Sequence, residues 1–216
     1  MKKIVSTLLL LALVTMGVTA QTVTPKRAAA QKMATADNSF TLTENGVDVL
    51  VIGKPFRSQP PAGSFYDKAV KKWVSDYGNT HYELKKNGET VGEAIVGDGK
   101  LQGLNVSAKS VKLANGIKVG DLLFSVLGKE GVTATLGSFD MDSDELDVMV
   151  EYGGVAILLS YPVKYSASGV KKKSELEKKI ANYDPFEDPN QPVAKMTKED
   201  FDITTNVTGF SVGVPY

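Results

Sequence analysis

The sequence has no cysteine, one histidine and one tryptophan among 216 residues. Without thiols there are no disulfides, no cysteine nucleophile and no thiolate metal site. A small stapled scaffold is therefore excluded, and stability must come from a packed core. One imidazole cannot build a multi-histidine zinc centre, and a Ser-His-Asp triad would have only His81 as its base. Net charge is missing too, since 25 basic residues balance 25 acidic ones. That balance argues against nucleic acid or an anionic membrane as the main partner, because both demand a strong positive excess.

What is present begins with the layout of an export signal. Lys2 and Lys3 supply a positive start, Ile4 to Val14 an apolar stretch, and Val18-Thr19-Ala20 a cleavage site before Gln21. An uncleaved anchor would need about 20 apolar residues, and this run is shorter and ends in Thr15, Gly17 and Thr19. No cysteine follows it, so lipid attachment is excluded. The expectation is a periplasmic or secreted, non-lipidated protein with no transmembrane helix after cleavage. The mature chain, from Gln21 onward, would have 196 residues, with 23 basic against 25 acidic. That is enough for one domain with a sizeable core.

The organisation reads as a signal over 1–20, a flexible leader over 21–38, an α+β domain over 39–183, and a Pro-rich linker with a C-terminal segment over 184–216. Phe40 to Ile52 suggests a strand pair around Glu44-Asn45-Gly46, and Gly53 to Gly63, with Pro55, Pro60 and Pro61, is loop. Phe65, Ala69, Val70, Trp73, Val74 and Tyr77 fall on one face of a 3.6-residue period, which predicts a helix from Ser64 to Gly78 with Trp73 buried. From His81 to Val106 the pattern is a meander, with Asn87-Gly88 and Gly97-Asp98-Gly99 as turns. Asn115-Gly116 predicts a turn that plugs Ile117 and Val119 into the core, and Gly120-Asp121 a cap for a short helix at Leu122 to Leu127. Val132 to Leu136, Leu146 to Tyr152 and Val155 to Tyr161 read as strands. Lys171 to Tyr183 reads as a charged surface helix, and Phe210, Val212 and Val214 as a returning edge strand. The fold class is α+β: an antiparallel sheet, a meander of short strands, with two or three packed helices.

The stretch from Leu104 to Gly131, with Asn115-Gly116-Ile117-Lys118-Val119-Gly120 after a meander like Tyr82 to Val106, resembles a module of exported bacterial proteins. It is similar to the uncharacterised sigma-E-regulated lipoprotein family of enterobacteria. That resemblance implies an envelope location and no enzymatic role, and it supplies no functional residues. The missing lipidated cysteine sets this chain apart from the family.

Candidate chemistry is sparse. His81, beside Thr80 and Tyr82 at a strand start, reads as a surface residue. Asp140, Asp142 and Asp144 occupy positions 1, 3 and 5 of a calcium loop with Glu151 at position 12, yet Glu145 stands where the loop needs a glycine. The expectation is a polar turn without a tightly bound metal; calcium is the one cofactor left open. Ser168 and Lys171 match a Ser-x-x-Lys spacing, but the lysine belongs to a solvated run. A pair of carboxylates for glycoside hydrolysis can be far apart in sequence; stacking platforms there would be Tyr66, Tyr82, Tyr152 or Tyr161. The reading is a non-enzymatic envelope module that binds a protein or small ligand. The alternatives are a carboxylate-dependent hydrolase or an inhibitor-like protein presenting a hairpin or the Gly53–Gly63 loop.

Overall fold

The structure, a computed structural model, describes residues 39–138, 146–183 and 191–213. The signal, the leader, Asp140, Asp142, Asp144 and Val214 lie outside the described residues. Among those described, the centre is a nine-stranded sheet in the order β12-β9-β10-β11-β13-β7-β6-β5-β4. Its strands are β4 (Lys68–Val74), β5 (Thr80–Lys86), β6 (Glu89–Gly97), β7 (Lys100–Val106), β9 (Val132–Gly137), β10 (Asp147–Tyr152), β11 (Val155–Leu159), β12 (Ala194–Lys195) and β13 (Val207–Val212). Every neighbouring pair is antiparallel. The α+β reading stands: two meanders, β4 to β7 and β9 to β11, are joined through β13.

The meander turns follow from local chemistry. Asn87 and Gly88 hold φ of 51° and 85°, and Asp98 and Gly99 hold 51° and 71°. Those paired positive angles match the twist of two-residue hairpins, and Asn, Asp and Gly tolerate them best.

The predicted helix at Ser64 to Gly78 is instead a buried corner followed by an edge strand. Phe65 and Tyr66 are in the core, and Lys68–Val74 pairs with β5 as β4. Gly78 ends a tight turn, with its N–H donating to Ser75 O at 2.9 Å, and does not stop a helix. A bulge between Lys71 and Trp73 breaks the two-residue alternation that marks a strand, and the resulting apolar spacing mimics a helix. The β-branched and aromatic residues Val70, Trp73 and Val74 favour a strand once β5 offers a partner.

Two further expectations are corrected. The Glu44-Asn45-Gly46 turn does not join a hairpin of long strands. β1 (Phe40–Leu42) pairs in parallel with β8 (Val111–Leu113), while β2 (Gly46–Val47) pairs with β3 (Leu50–Val51). The C-terminal strand β13 is no edge: it lies between β11 and β7, with Val207, Phe210 and Val212 buried. Its surroundings explain this, because Ala156 and Asn105 pair with Ser211 from either side, leaving no open hydrogen-bonding edge.

One sheet face carries the row Ala69, Leu84, Gly92, Val106, Phe210 and Ile157, each paired with the next. This row joins Leu42, Leu50, Phe65, Leu113, Ile117 and Leu123 in one core. The Asn115–Asp121 segment docks on β13. Gly120 N–H donates to Val207 O at 2.8 Å, and Val207 N–H donates to Asp121 O at 2.9 Å. The short helix α1 (Leu123–Val126) has Leu122 at its N-cap and no side-chain cap. Asp121 is spent otherwise, accepting from Lys118 N–H at 3.1 Å. Helix α2 spans Ala167–Ile180, starting ahead of the expected Lys171 because Ser166 Oγ accepts from Gly169 N–H at 3.3 Å. No helix among the described residues is long and apolar enough to cross a membrane.

Candidate functional site

The other face of the sheet is where polar groups gather. Pairing runs across it from Val70 through Glu83, Glu93, Asn105, Ser211, Ala156 and Glu151 to Thr133. Residues of such a row share a face, because side chains alternate along each strand. On this face lies a cleft of about 240 Å³, bounded by Lys72, Glu83, Thr90, Glu93, Asn105 and Thr208. Its floor contains Gly92 and Gly209. A Cβ at Gly209 would stand 2.7 Å from Val106 O and 3.4 Å from Leu158 Cδ1, so glycine keeps the floor open there. Leu158 also borders a second depression of about 280 Å³ over β10 and β11.

The carboxylates in the cleft are engaged. Glu83 accepts from Thr90 Oγ1 at 2.6 Å and from Lys85 Nζ at 3.2 Å. The Thr90 hydroxyl first, then Lys85, hold its carboxyl below the usual range, so it stays ionised at neutral pH. Glu93 Oε1 lies 2.7 Å from His81 Nδ1. The His81 ring stacks on the Trp73 indole, with centroids 3.7 Å apart and planes within 13°.

His81 is thus tied to this cleft through Glu93. Its side chain is 13% exposed, and the surface reading is corrected to a half-enclosed position. Trp73 is corrected in the opposite sense, being 51% exposed. Sequence reasoning missed the group because the helical period hid the strand. The cross-strand pairing of Trp73 with His81 and of Glu83 with Glu93 follows only from the register.

The remaining sequence candidates do not converge on the cleft. Glu151 is exposed on β10, and its three proposed calcium partners are outside the described residues. Ser168 Oγ lies 3.0 Å from Asp200 Oδ1 and 3.0 Å from Glu199 O, while Lys171 is exposed and 4.0 Å from Glu175. The Ser-x-x-Lys pair is therefore not assembled. Asn115 Oδ1 accepts from Ile117 N–H at 3.3 Å, and with Gly116, Gly120 and Asp121 it shapes a structural turn. Tyr66 is a core residue whose hydroxyl donates to Arg57 O at 2.6 Å. Burial, then Asp48, pushes it up to about 12. Tyr82 packs on Phe56 with centroids 4.8 Å apart. Neither serves as an open platform.

The class defined by these features is an antiparallel α+β domain with a clefted outer sheet face. No protein-family model matches the chain, and no curated protein is similar to it. Among solved structures it is similar to the uncharacterised protein YfeY from Escherichia coli, at a TM-score of 0.46 and 12% sequence identity. The likeness covers 81% of this chain and 99% of that one.

Proposed function

We propose that this chain is an exported envelope protein and a non-enzymatic binding module, with the cleft on its outer sheet face as the binding surface. The observation that supports this reading is the cleft itself. It combines an ammonium, two carboxylates, an amide and hydroxyls over a glycine floor, as ligand sites do. Glu83 is arranged for holding and not for proton transfer. A general acid needs a carboxyl raised toward neutral pH, whereas Thr90 and Lys85 hold Glu83 down. The export signal read at Lys2 to Ala20 supports the envelope location, and intact mass of the exported chain should correspond to a start at Gln21. A two-dimensional NMR titration with saccharides, amino acids and short peptides tests the binding surface. Shifts should concentrate at the amides of Glu93, Asn105 and Gly209; shifts elsewhere, or none, would refute the assignment.

A carboxylate-dependent hydrolase is the second reading, favoured by one observation: Glu83 and Glu93 are direct cross-strand partners at the cleft. It requires turnover that Glu93→Gln abolishes.

A further inference from the structure

We propose that the cleft and the exposed face of Trp73 form a saccharide site, with the indole as stacking platform and the cleft side chains as hydroxyl partners. This rests on the reading of the outer face as a binding surface and names its ligand class.

The platform is unusual for its exposure and its support. Tryptophan carries the largest apolar surface of any side chain, and it is highly buried on average. Here the sole tryptophan is 51% exposed on the edge strand. One of its faces is covered by His81 at 3.7 Å, and His81 is in turn held by Glu93 at 2.7 Å. The ring is therefore set in place before any ligand arrives, which reduces the ordering cost of binding. The ring remains 51% exposed beyond that stack.

The platform is linked to the cleft at two residues, Lys72 and Glu93. Lys72 lines it, and the bulge between Lys71 and Trp73 puts Lys72 and Trp73 on the same side of the strand. Glu93 lines the cleft as well while bonding the histidine beneath the indole.

The polar groups then select among ligands that stack. A pyranose ring offers a face of C–H bonds, which suits an aromatic π-face, and a rim of hydroxyls that both donate and accept. The cleft answers with acceptors on Glu83 and Glu93, a donor on Lys72, and groups of both kinds on Thr90, Asn105, Ser107 and Thr208. Hydrogen bonds from hydroxyls to charged partners are the strong kind.

Both carboxylates are already engaged within the protein. Glu83 has Lys85 at 3.2 Å, with Lys72 adding to its stabilisation, and Glu93 is hydrogen-bonded to His81. A neutral polyhydroxylated ligand leaves those pairs intact, whereas an ion of either sign must compete with them. A stacked nucleotide fits worse, because its phosphate would face two carboxylates.

The test uses the mature chain and three neutral probes: chitotriose, cellotriose and maltotriose. Because the chain has a single tryptophan, its emission reports on this site alone. A saturable emission change with one of the three is expected, together with shifts at the amides of Glu93 and Asn105. In Trp73→Ala, followed by those amide shifts, affinity should fall at least about tenfold, as expected for losing an aromatic contact. Trp73→Phe should recover most of it. Both variants should keep the wild-type denaturation midpoint, since the ring is outside the core. Unchanged affinity in Trp73→Ala would overturn the proposal. So would silence from all three sugars while a dipeptide shifts the cleft amides, although the binding-module reading would then survive. Silence from every probe would overturn both. Cleavage of a trisaccharide would support the ligand class and overturn the non-enzymatic reading.

Discussion

Asp200 offers the sharpest test of how the domain is fastened together. It is 2% exposed, yet its carboxylate ties α2 to the stretch around Thr197. It accepts from Lys172 Nζ on α2 at 2.6 Å, from Thr197 N–H at 2.8 Å and Thr197 Oγ1 at 3.1 Å, and it meets Ser168 Oγ at 3.0 Å. Asp200→Ala removes an ion pair and three further hydrogen bonds to an ionised carboxylate, and it orphans the Thr197 N–H. Net of what water restores, this should cost about 3–4 kcal/mol. Lys172→Met should cost less, about 1–2 kcal/mol: three donors still hold the carboxylate, and the lysine side chain is 37% exposed, so solvent screens part of the pair. Burial pushes the Asp200 carboxyl up, but Lys172, Thr197 and Ser168 outweigh it, and the net shift is below the ordinary 3.8. A depressed folded value means that the stabilisation is fully present above the ordinary carboxylate range. It is lost as pH falls through the lower folded value. Urea denaturation from neutral pH down through that range should therefore show wild type and Asp200→Asn converging in acid, with unchanged m-values. An Asp200→Ala loss below about 0.5 kcal/mol, or identical pH slopes in wild type and Asp200→Asn, would refute the reasoning.

Leu84→Ala, in the buried row of the sheet, should cost about 2–5 kcal/mol, whereas Trp73→Ala should stay below about 1 kcal/mol; thermal or chemical denaturation of the pair separates core from platform. Gly116 at φ 81° and Gly99 at φ 71° have nothing but the end of Lys129 near a new Cβ, so each →Ala change should cost about 1 kcal/mol from backbone strain alone. Gly46→Ala should cost clearly more, because its Cβ would meet the Leu50 carbonyl oxygen, and denaturation midpoints rank the three. Calorimetric titration with millimolar calcium should give no saturable heat; an isotherm abolished by Asp142→Ala would establish a metal site that Glu145 should forbid.

The hairpins were legible because their information is local. Asn87-Gly88 and Asp98-Gly99 each supply two consecutive positive φ values, and that chemistry is written in adjacent residues. The Asn115–Gly120 turn was legible for the same reason. The place of β13 was not, because it depends on partners Asn105 and Ala156, which are remote in sequence. A signal for it did exist: no charged residue follows Asp202, and edge strands are usually protected by charge. β4 carries that protection, with Lys68, Lys71 and Lys72 and a bulge, so the two strands could have been distinguished.

The cleft was hidden for a deeper reason: it is a product of register. Glu83, Glu93, Asn105 and Ser211 become neighbours only when β5, β6, β7 and β13 pair in their observed alignment. A slip of one residue in any of them would send that strand's side chains to the opposite face. The irregularity at Lys72 matters in the same way. A regular strand would place Lys72 and Trp73 on opposite faces, burying one or withdrawing it from the cleft. The bulge that disguised β4 as a helix in the sequence is thus also the feature that brings the ammonium and the indole to one side. Both the mistaken helix and the candidate site follow from that single extra residue.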